Sequence, residues 1–549
     1  MIKVSEAIAR ILLKEGVECL FCYPANALID ACAEVGIRPV IARTERTLVN
    51  MADGYSRVHN GNRLAVVCVQ YGPGAENALS GVAQAFADGT PMLVLPGGFN
   101  QSRLGIPGQL DLMAMYAHIS RMSSRVSDAS VVGPMFRRAL TVLRSPKTGP
   151  VVLELPDDVL RSDIDEQSID FSSPGRLRSG GDPDAVRVAA KAFREAKQPV
   201  ILAGQGVLYT AASDRLVALA EATNTPVVTH LPGKSGFPEG HALAGGTAAY
   251  SMSGPAHFLL DKADLIVGIG SSLSRSLGHA ALPAGKRVIQ MGIDREDANK
   301  EYSSQVVVTG DTAIVLEQLL GELSGHTGDF SSTLAEQLPS VRRSWMDEWL
   351  PRLTSNEVPI NPYRVINDLQ ATLDDEDLMV THDAGNPRDQ IVPFYQANLP
   401  RGYLGWGRST QLGAGLGLAM GAALADRLRT SVYVCGDAAF GMCGMDVETA
   451  SREKIGIMIL LLNNSAMGGY ERHMPIASVK YRSKYLTGDY CGVAAALGAH
   501  AVRVARPEEI GPAILKAKDV AASGGPAVIE FITREESEMP FLVNPTLYN

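Results

Sequence analysis

The chain has 549 residues, 46% of them apolar and 20% charged, with a formal net charge of -9. At a soft prior of ~150 residues per domain this implies three or four globular units. The acidic balance, with no basic run carrying interleaved aromatics, argues against a nucleic-acid binder, and no apolar stretch reaches the ~18–20 residues of a membrane span.

The opening MIKVSEAIARILLKEGV reads as an amphipathic helix carrying Glu6 and Lys14. It lacks the uninterrupted apolar block of a signal peptide, so a cytoplasmic protein is expected. Seven scattered cysteines include one CxxC, Cys19 and Cys22, with no second pair at zinc spacing; reduced, buried thiols are expected.

From there, short apolar runs alternate with helical patterns, as in parallel sheets covered by helices. The first block holds VECLFCYP, RPVIAR, LAVVCVQ, PMLVLPGG and PVVLELP, and closes at the linker-like SSPGRLRSGGDPDA (172–185). The second holds QPVILAGQG, TPVVTHL, ADLIVGIGSS and KRVIQMGID, then fades into the polar stretch GHTGDFSS (325–332). Asp294 lies about two dozen residues beyond Gly270, a spacing that suits a dinucleotide or ADP ribose, so FAD or ADP is a candidate ligand of this block, with an empty middle domain as the alternative. The third holds DLMVTHDAG, TSVYVCGDAAFG, IGIMILLLNNS and PAVIEFIT. GAGLGLAMG (413–421) mimics a glycine fingerprint but follows no strong strand, so its glycines are expected to serve close helix packing. Blocks one and three are candidates for similar folds with different sequences.

The strongest chemical signal lies in the third block. TSVYVCGDAAFG reads as a buried strand ending at Gly436-Asp437, followed by a helix around MDVETASRE. A second strand ends at Asn463-Asn464, and 27 residues separate Asp437 from Asn464. That distance allows a crossover helix between adjacent parallel strands, placing both side chains where open α/β sheets bind ligands. One carboxylate, one amide oxygen and a backbone carbonyl form a hard oxygen site suited to magnesium held together with phosphates. Read alone, Asp437 is equally a turn residue at a strand end.

This GD…NN spacing resembles the signature of thiamine-diphosphate-dependent enzymes. The resemblance makes Asp437, Asn464 and the carbonyl of Ala466 the metal ligands, and adds Gly436, Ala438, Ala439, Met467 and Gly468 to the cofactor-binding set. Ala438 departs from the Gly usual there. IARTERTLVNMADGYSR (41–57) resembles the catalytic-glutamate segment, with Glu45 in the key position. Read alone, Glu45 is a carboxylate favoured at a helix start. YGPGAENA, and AFADGTPMLVLPGG with Asp88 and Pro91, extend the resemblance over nearly the whole chain. Its branch is the acetolactate synthase and pyruvate oxidase-like group. THDAGNPRDQ, GWGRSTQLGAGLG and GDAAFGM match an acetolactate-synthase-like subgroup.

The resemblance implies an α/β architecture of three doubly wound parallel-sheet domains. They are pyrimidine-binding (1–171), central and Rossmann-like (186–330), and diphosphate-binding (355–549). It implies thiamine diphosphate and Mg2+, with Glu45 hydrogen-bonding N1′ of the aminopyrimidine so that its 4′-imine can take the C2 proton. Leu412 would support the bend between the cofactor's rings, and Gly385 and Asn386 in HDAGNPR would contact the diphosphate. Pro24 and Asn26 in CYPANAL would lie beside C2, with Gln109 in the pocket. The family's first and third domains meet across a subunit interface, so a homodimer or homotetramer is implied.

Several pocket positions depart from acetolactate synthases: Asn26 for Gly, Gly108 for Phe, Asp157 for Lys and His473 for Trp. His118 and His382 near strand ends are further candidates for proton transfer. The implied function is a carboligase or lyase joining a decarboxylated 2-oxo acid to a second carbonyl. Plain 2-oxo acid decarboxylation, 2-hydroxyacyl-CoA lysis, a non-catalytic binding or regulatory subunit and a pure nucleotide-binding protein are the alternatives.

Overall fold

The computed structural model describes residues 1–324 and 332–540. The predicted boundaries at 330 and 549, and all but Ser332 of the polar stretch 325–332, lie outside the described residues. The fold is built on three six-stranded sheets, parallel throughout. Their central strands, such as Val66–Val69, Leu265–Ile269 and Ile457–Asn463, are buried at every position. That burial explains why they read as unbroken apolar runs and not as alternating ones.

In the first sheet the order is Arg38–Ile41, Cys19–Cys22, Val66–Val69, Met92–Gly98, Pro150–Pro156, Met122–Arg125. Numbered along the chain, that is 2-1-3-4-6-5. The third sheet runs Tyr403–Leu404, Leu378–His382, Thr430–Gly436, Ile457–Asn463, Pro526–Ile532, His500–Val504, which is the same order. Two blocks with different sequences thus share one topology. The middle sheet is ordered 3-2-1-4-5-6, the dinucleotide-binding arrangement.

The chain divides into two compact units. One comprises Met1–Leu177, Gly413–Arg427 and Cys443–Ile455; the other comprises Arg178–Leu412, Leu428–Met442 and Gly456–Asn549. Two pieces of the third block therefore pack with the first. The helix Ala414–Ala425 is apolar on every side and lies against the helix Glu45–Val58, itself buried over most of its length. A Cβ on Gly421 would sit 1.9 Å from the carbonyl oxygen of Met51, and one on Gly54 would sit 2.1 Å from that of Leu418. The glycines of GAGLGLAMG therefore let two backbones touch. Backbone carbonyls cannot yield as a flexible side chain can, so Gly421→Ala should lower stability by about 3 kcal/mol. Urea unfolding checks this, and an unchanged midpoint would contradict it.

Arg57 and Asp88 have an equally structural place. The buried Arg57 guanidinium binds Asp53 at 2.6 Å and Asp88 at 2.8 Å, and Gln84 donates to Asp88 at 3.0 Å. All seven cysteines are free thiols. Among the described residues no helix is long and apolar enough to cross a membrane.

Candidate active site

In a 2-1-3-4-6-5 sheet the chain reverses direction between strands 1 and 3, opening a crevice beyond their carboxyl ends. In the third sheet those strands are Leu378–His382 and Thr430–Gly436. The crevice is a cavity of about 640 Å³ whose floor includes Gly385, Asn386, Gly436, Asp437, Ala438 and Ala439. Gly385 caps the helix Asn386–Ile391 at φ +87°, a conformation that favours glycine. The helix Asp437–Cys443 starts directly from the neighbouring strand. It begins earlier than the sequence pattern predicts, so Asp437 is helical from the outset. Two helix starts thus present backbone N–H groups to one space, an arrangement that suits an anion.

Asp437 is 2% exposed. Its Oδ1 accepts from the Ala438 N–H at 2.8 Å, whereas Oδ2 is buried with no hydrogen-bond partner. Burial pushes the carboxyl pKa up to about 6, against an opposing pull from the backbone N–H groups of Ala438, Ala466 and Ser465. A buried, unpartnered carboxylate oxygen is costly unless something positive is bound there. Among the described residues no cluster of three or more His, Cys, Asp or Glu is placed to hold a metal. A cation here would instead combine one carboxylate with neutral oxygens.

Candidate oxygens follow the next strand, Ile457–Asn463. The two asparagines at its end divide the work. Asn463 is structural: its Nδ2 donates to Glu530 at 2.7 Å and its Oδ1 accepts from the Ser465 N–H at 2.9 Å. Asn464 lines the cavity, with Oδ1 accepting from the Ala466 N–H at 3.0 Å; one lone pair remains for another partner. The loop then runs beside Tyr485 through Ala466, with the Met467 N–H bonded to the Lys484 carbonyl at 2.8 Å. Gly468 lies close under the Asn386 side chain, since a Cβ there would sit 2.4 Å from Asn386 Nδ2. Ala466, Met467, Gly468 and Leu412 all line the cavity.

Glu45, Pro24, Asn26 and Gln109 belong to the other compact unit. Glu45 opens the helix Glu45–Val58 behind the Thr44 cap, is 7% exposed, and accepts from Asn77 Nδ2 at 3.3 Å. It is thus both a helix-start carboxylate and a buried acid at a strand's carboxyl end. Pro24 and Asn26 follow the first strand of the first sheet, at that sheet's own reversal point. Asn26 caps the helix Ala27–Glu34 through Oδ1, leaving Nδ2 buried without a partner. Gln109 lies half-buried in a loop with the exposed Leu104, Ile106 and Leu110.

Asp157 is paired with Arg161 at 2.7 Å. His118 is exposed. His382 is fully buried, stacked on Trp406 with ring centroids 5.0 Å apart, and does not line the cavity. His473 does line it, beside Arg472 and Tyr470. Tyr250 and Leu277, from the middle sheet's loops, complete the wall; nothing local in their sequence marks them. In the middle sheet Gly206 and Gly270 press backbone to backbone, and Asp294 caps a turn by accepting from the Glu296 N–H at 3.0 Å.

Three family profiles match the chain: "Thiamine pyrophosphate enzyme, N-terminal TPP binding domain" over residues 2–115, "central domain" over 186–319, and "C-terminal TPP binding domain" over 383–531. Among similar proteins, a probable acetolactate synthase large subunit of Methanocaldococcus jannaschii is 28% identical, covering 98% of this chain and 93% of its own. The acetolactate synthase isozyme 3 large subunit of Escherichia coli is 27% identical, covering 93% and 91%. A sulfoacetaldehyde acetyltransferase of Alcaligenes xylosoxydans xylosoxydans is 26% identical, covering 98% and 94%.

Proposed function

Because this chain belongs to the thiamine pyrophosphate enzyme family, we propose that it is a thiamine-diphosphate- and magnesium-dependent carboligase that decarboxylates a 2-oxo acid and joins the remainder to a second carbonyl. One observation carries the cofactor assignment: the orphaned, buried Oδ2 of Asp437 at the mouth of two helix starts. Bound thiamine diphosphate supplies an acidic ring carbon and an electron sink for bonds next to a carbonyl.

The chain's own residues do the rest. Gly385, Asn386, Gly436, Ala438 and Ala439 would receive the diphosphate, with Met467 and Gly468 closing over it. Asp437, Asn464 and the carbonyl of Ala466 would hold Mg2+. Leu412 would support the bent cofactor. Glu45, buried and accepting from the Asn77 amide, would share a proton with N1′. Pro24 and Asn26 would flank the reacting carbon, Asn26 offering its spare N–H to a substrate oxygen, and Gln109 would reach the pocket.

Domain boundaries near 1–171, 186–330 and 355–549, a cytoplasmic location, and FAD or ADP in the middle crevice belong to the same proposal. So does a homodimer or homotetramer whose sites form between subunits. Ile476, Val479, Tyr481 and Tyr485, following the cation loop, are exposed apolar side chains of the kind a second subunit would cover. The relatives' names support chemistry that builds on a carbonyl.

Cation loading requires the Asp437 carboxylate. With its pKa near 6, Mg2+ affinity should be full above that value and fall about tenfold per pH unit below it. Titrations at pH 7 and pH 5 check this, and equal affinities would count against Asp437 as a ligand. The reaction itself is tested by supplying pyruvate with and without an acceptor aldehyde or 2-oxo acid and identifying products by mass. A joined product is expected. Acetaldehyde alone would identify a simple decarboxylase, and no turnover of any 2-oxo acid or 2-hydroxyacyl thioester would indicate a binding subunit.

A further inference from the structure

Within the first compact unit, the backbone that delivers Glu45 is gripped by a buried carboxylate from far along the chain. Asp446 is 1% exposed. Its Oδ1 accepts from the Arg43 N–H at 2.7 Å and from the Thr449 hydroxyl at 2.9 Å, and its Oδ2 accepts from the Thr44 hydroxyl at 3.0 Å. Two of these three donors belong to the two residues immediately before Glu45.

The surrounding contacts act on the same strand and turn. Arg38 donates to the Glu453 carbonyl at 2.9 Å and to its carboxylate at 2.8 Å. Arg452 donates to the Ile41 carbonyl, and Arg43 pairs with Glu448 at 3.1 Å. Those pairs are partly exposed, where ion pairs contribute little. Asp446 is the buried member, and hydrogen bonds to a carboxylate are roughly twice as strong as neutral ones.

We infer that Asp446 is a positioning residue for Glu45, fixing the turn from which that side chain departs. The inference rests on the reading of Glu45 as the group that holds a proton against the cofactor's pyrimidine. In Asp446→Asn one oxygen becomes an NH2 group: turned toward Arg43 it meets a second N–H donor, and turned toward Thr44 it makes that hydroxyl accept where it had donated, so the charge-assisted hold on the turn is weakened either way. A displaced Glu45 would still allow the diphosphate end of the cofactor to bind.

The test has two parts. In the cofactor-free chain, Asp446→Asn should speed hydrogen exchange at the Arg43 amide, the backbone N–H that Asp446 holds, by at least tenfold while leaving the rest of the fold protected. In the loaded protein it should slow deuterium exchange at C2 of the cofactor by roughly 10- to 100-fold, the size typical of losing a group that orients a reacting one. Cofactor affinity should stay within about threefold of wild type. Asp446→Glu, which keeps both acceptor oxygens, should recover most of the rate should the Asn variant fold poorly, and Glu448→Gln should leave it unchanged.

A double-mutant cycle separates positioning from general damage. Added to Glu45→Gln, Asp446→Asn should cost nothing further. An undiminished multiplicative loss there, or wild-type amide and C2 exchange in Asp446→Asn alone, would overturn the inference. Wild-type C2 exchange in Glu45→Gln would overturn the role of Glu45 itself; a slow Glu45→Gln beside a fast Asp446→Asn would overturn only the role of Asp446.

Discussion

Asp437→Asn should reduce Mg2+-dependent retention of thiamine diphosphate by on the order of 100-fold or more while making the cofactor-free protein more stable. Both effects follow from the same atom. Oδ2 of Asp437 is buried without a partner, and burial lifts the carboxyl from its ordinary 3.8 to about 6. A raised acid pKa means the folded chain binds more protons than the unfolded chain between those values. Stability therefore falls as pH rises from about 4 through about 6, by at most about 3 kcal/mol. The amide variant carries no such penalty. It can still accept the Ala438 N–H at the helix start, but it would present an NH2 group where the cation needs an oxygen. Thermal melts of the cofactor-free proteins at pH 4 and pH 7, paired with cofactor titrations, check both halves. Equal retention by the two proteins would remove Asp437 from the ligand set.

Glu45→Gln should slow deuterium exchange at C2 of the bound cofactor by roughly 100- to 10,000-fold, the span of a single positioned acid–base group. The glutamine is nearly the same size and can still accept from Asn77, so the fold and the helix Glu45–Val58 should persist. It cannot hold the proton that a carboxyl shares with a ring nitrogen. Quenching timed mixtures in acid and reading residual C2–H by NMR gives the rate directly. Cofactor affinity should change less than tenfold, because the residues proposed to hold the diphosphate are other ones.

What the sequence made legible was local. Asp437 and Asn464 could be paired because strand, crossover helix and strand form one continuous stretch of chain, so spacing stands in for geometry. Glu45 was visible through its flanks, yet its hold by Asp446 was not: the two are some four hundred residues apart, and the second reads as an ordinary acidic residue in a helix. The flanks also mix two kinds of signal. Arg57 and Asp88 support the family assignment, yet their role is a buried ion cluster beneath the helix. The glycines of GAGLGLAMG announced close packing without naming the partner helix, since a missing Cβ fits any backbone. Asn26 shows the reverse difficulty: a polar residue after a strand serves as a helix cap with one half of its amide and leaves the other half free. Tyr250 and Leu277 reach the cavity from loops of another sheet, where only tertiary structure reveals them.

A crystal structure of the chain grown with thiamine diphosphate and Mg2+ tests the central claim most directly. The account predicts a cation about 2.1 Å from Asp437 Oδ2, the diphosphate at the starts of the helices Asn386–Ile391 and Asp437–Cys443, and a Glu45 carboxyl in hydrogen-bond contact with N1′. A cofactor bound elsewhere, or a pyrimidine ring with no Glu45 from any subunit beside it, would contradict it.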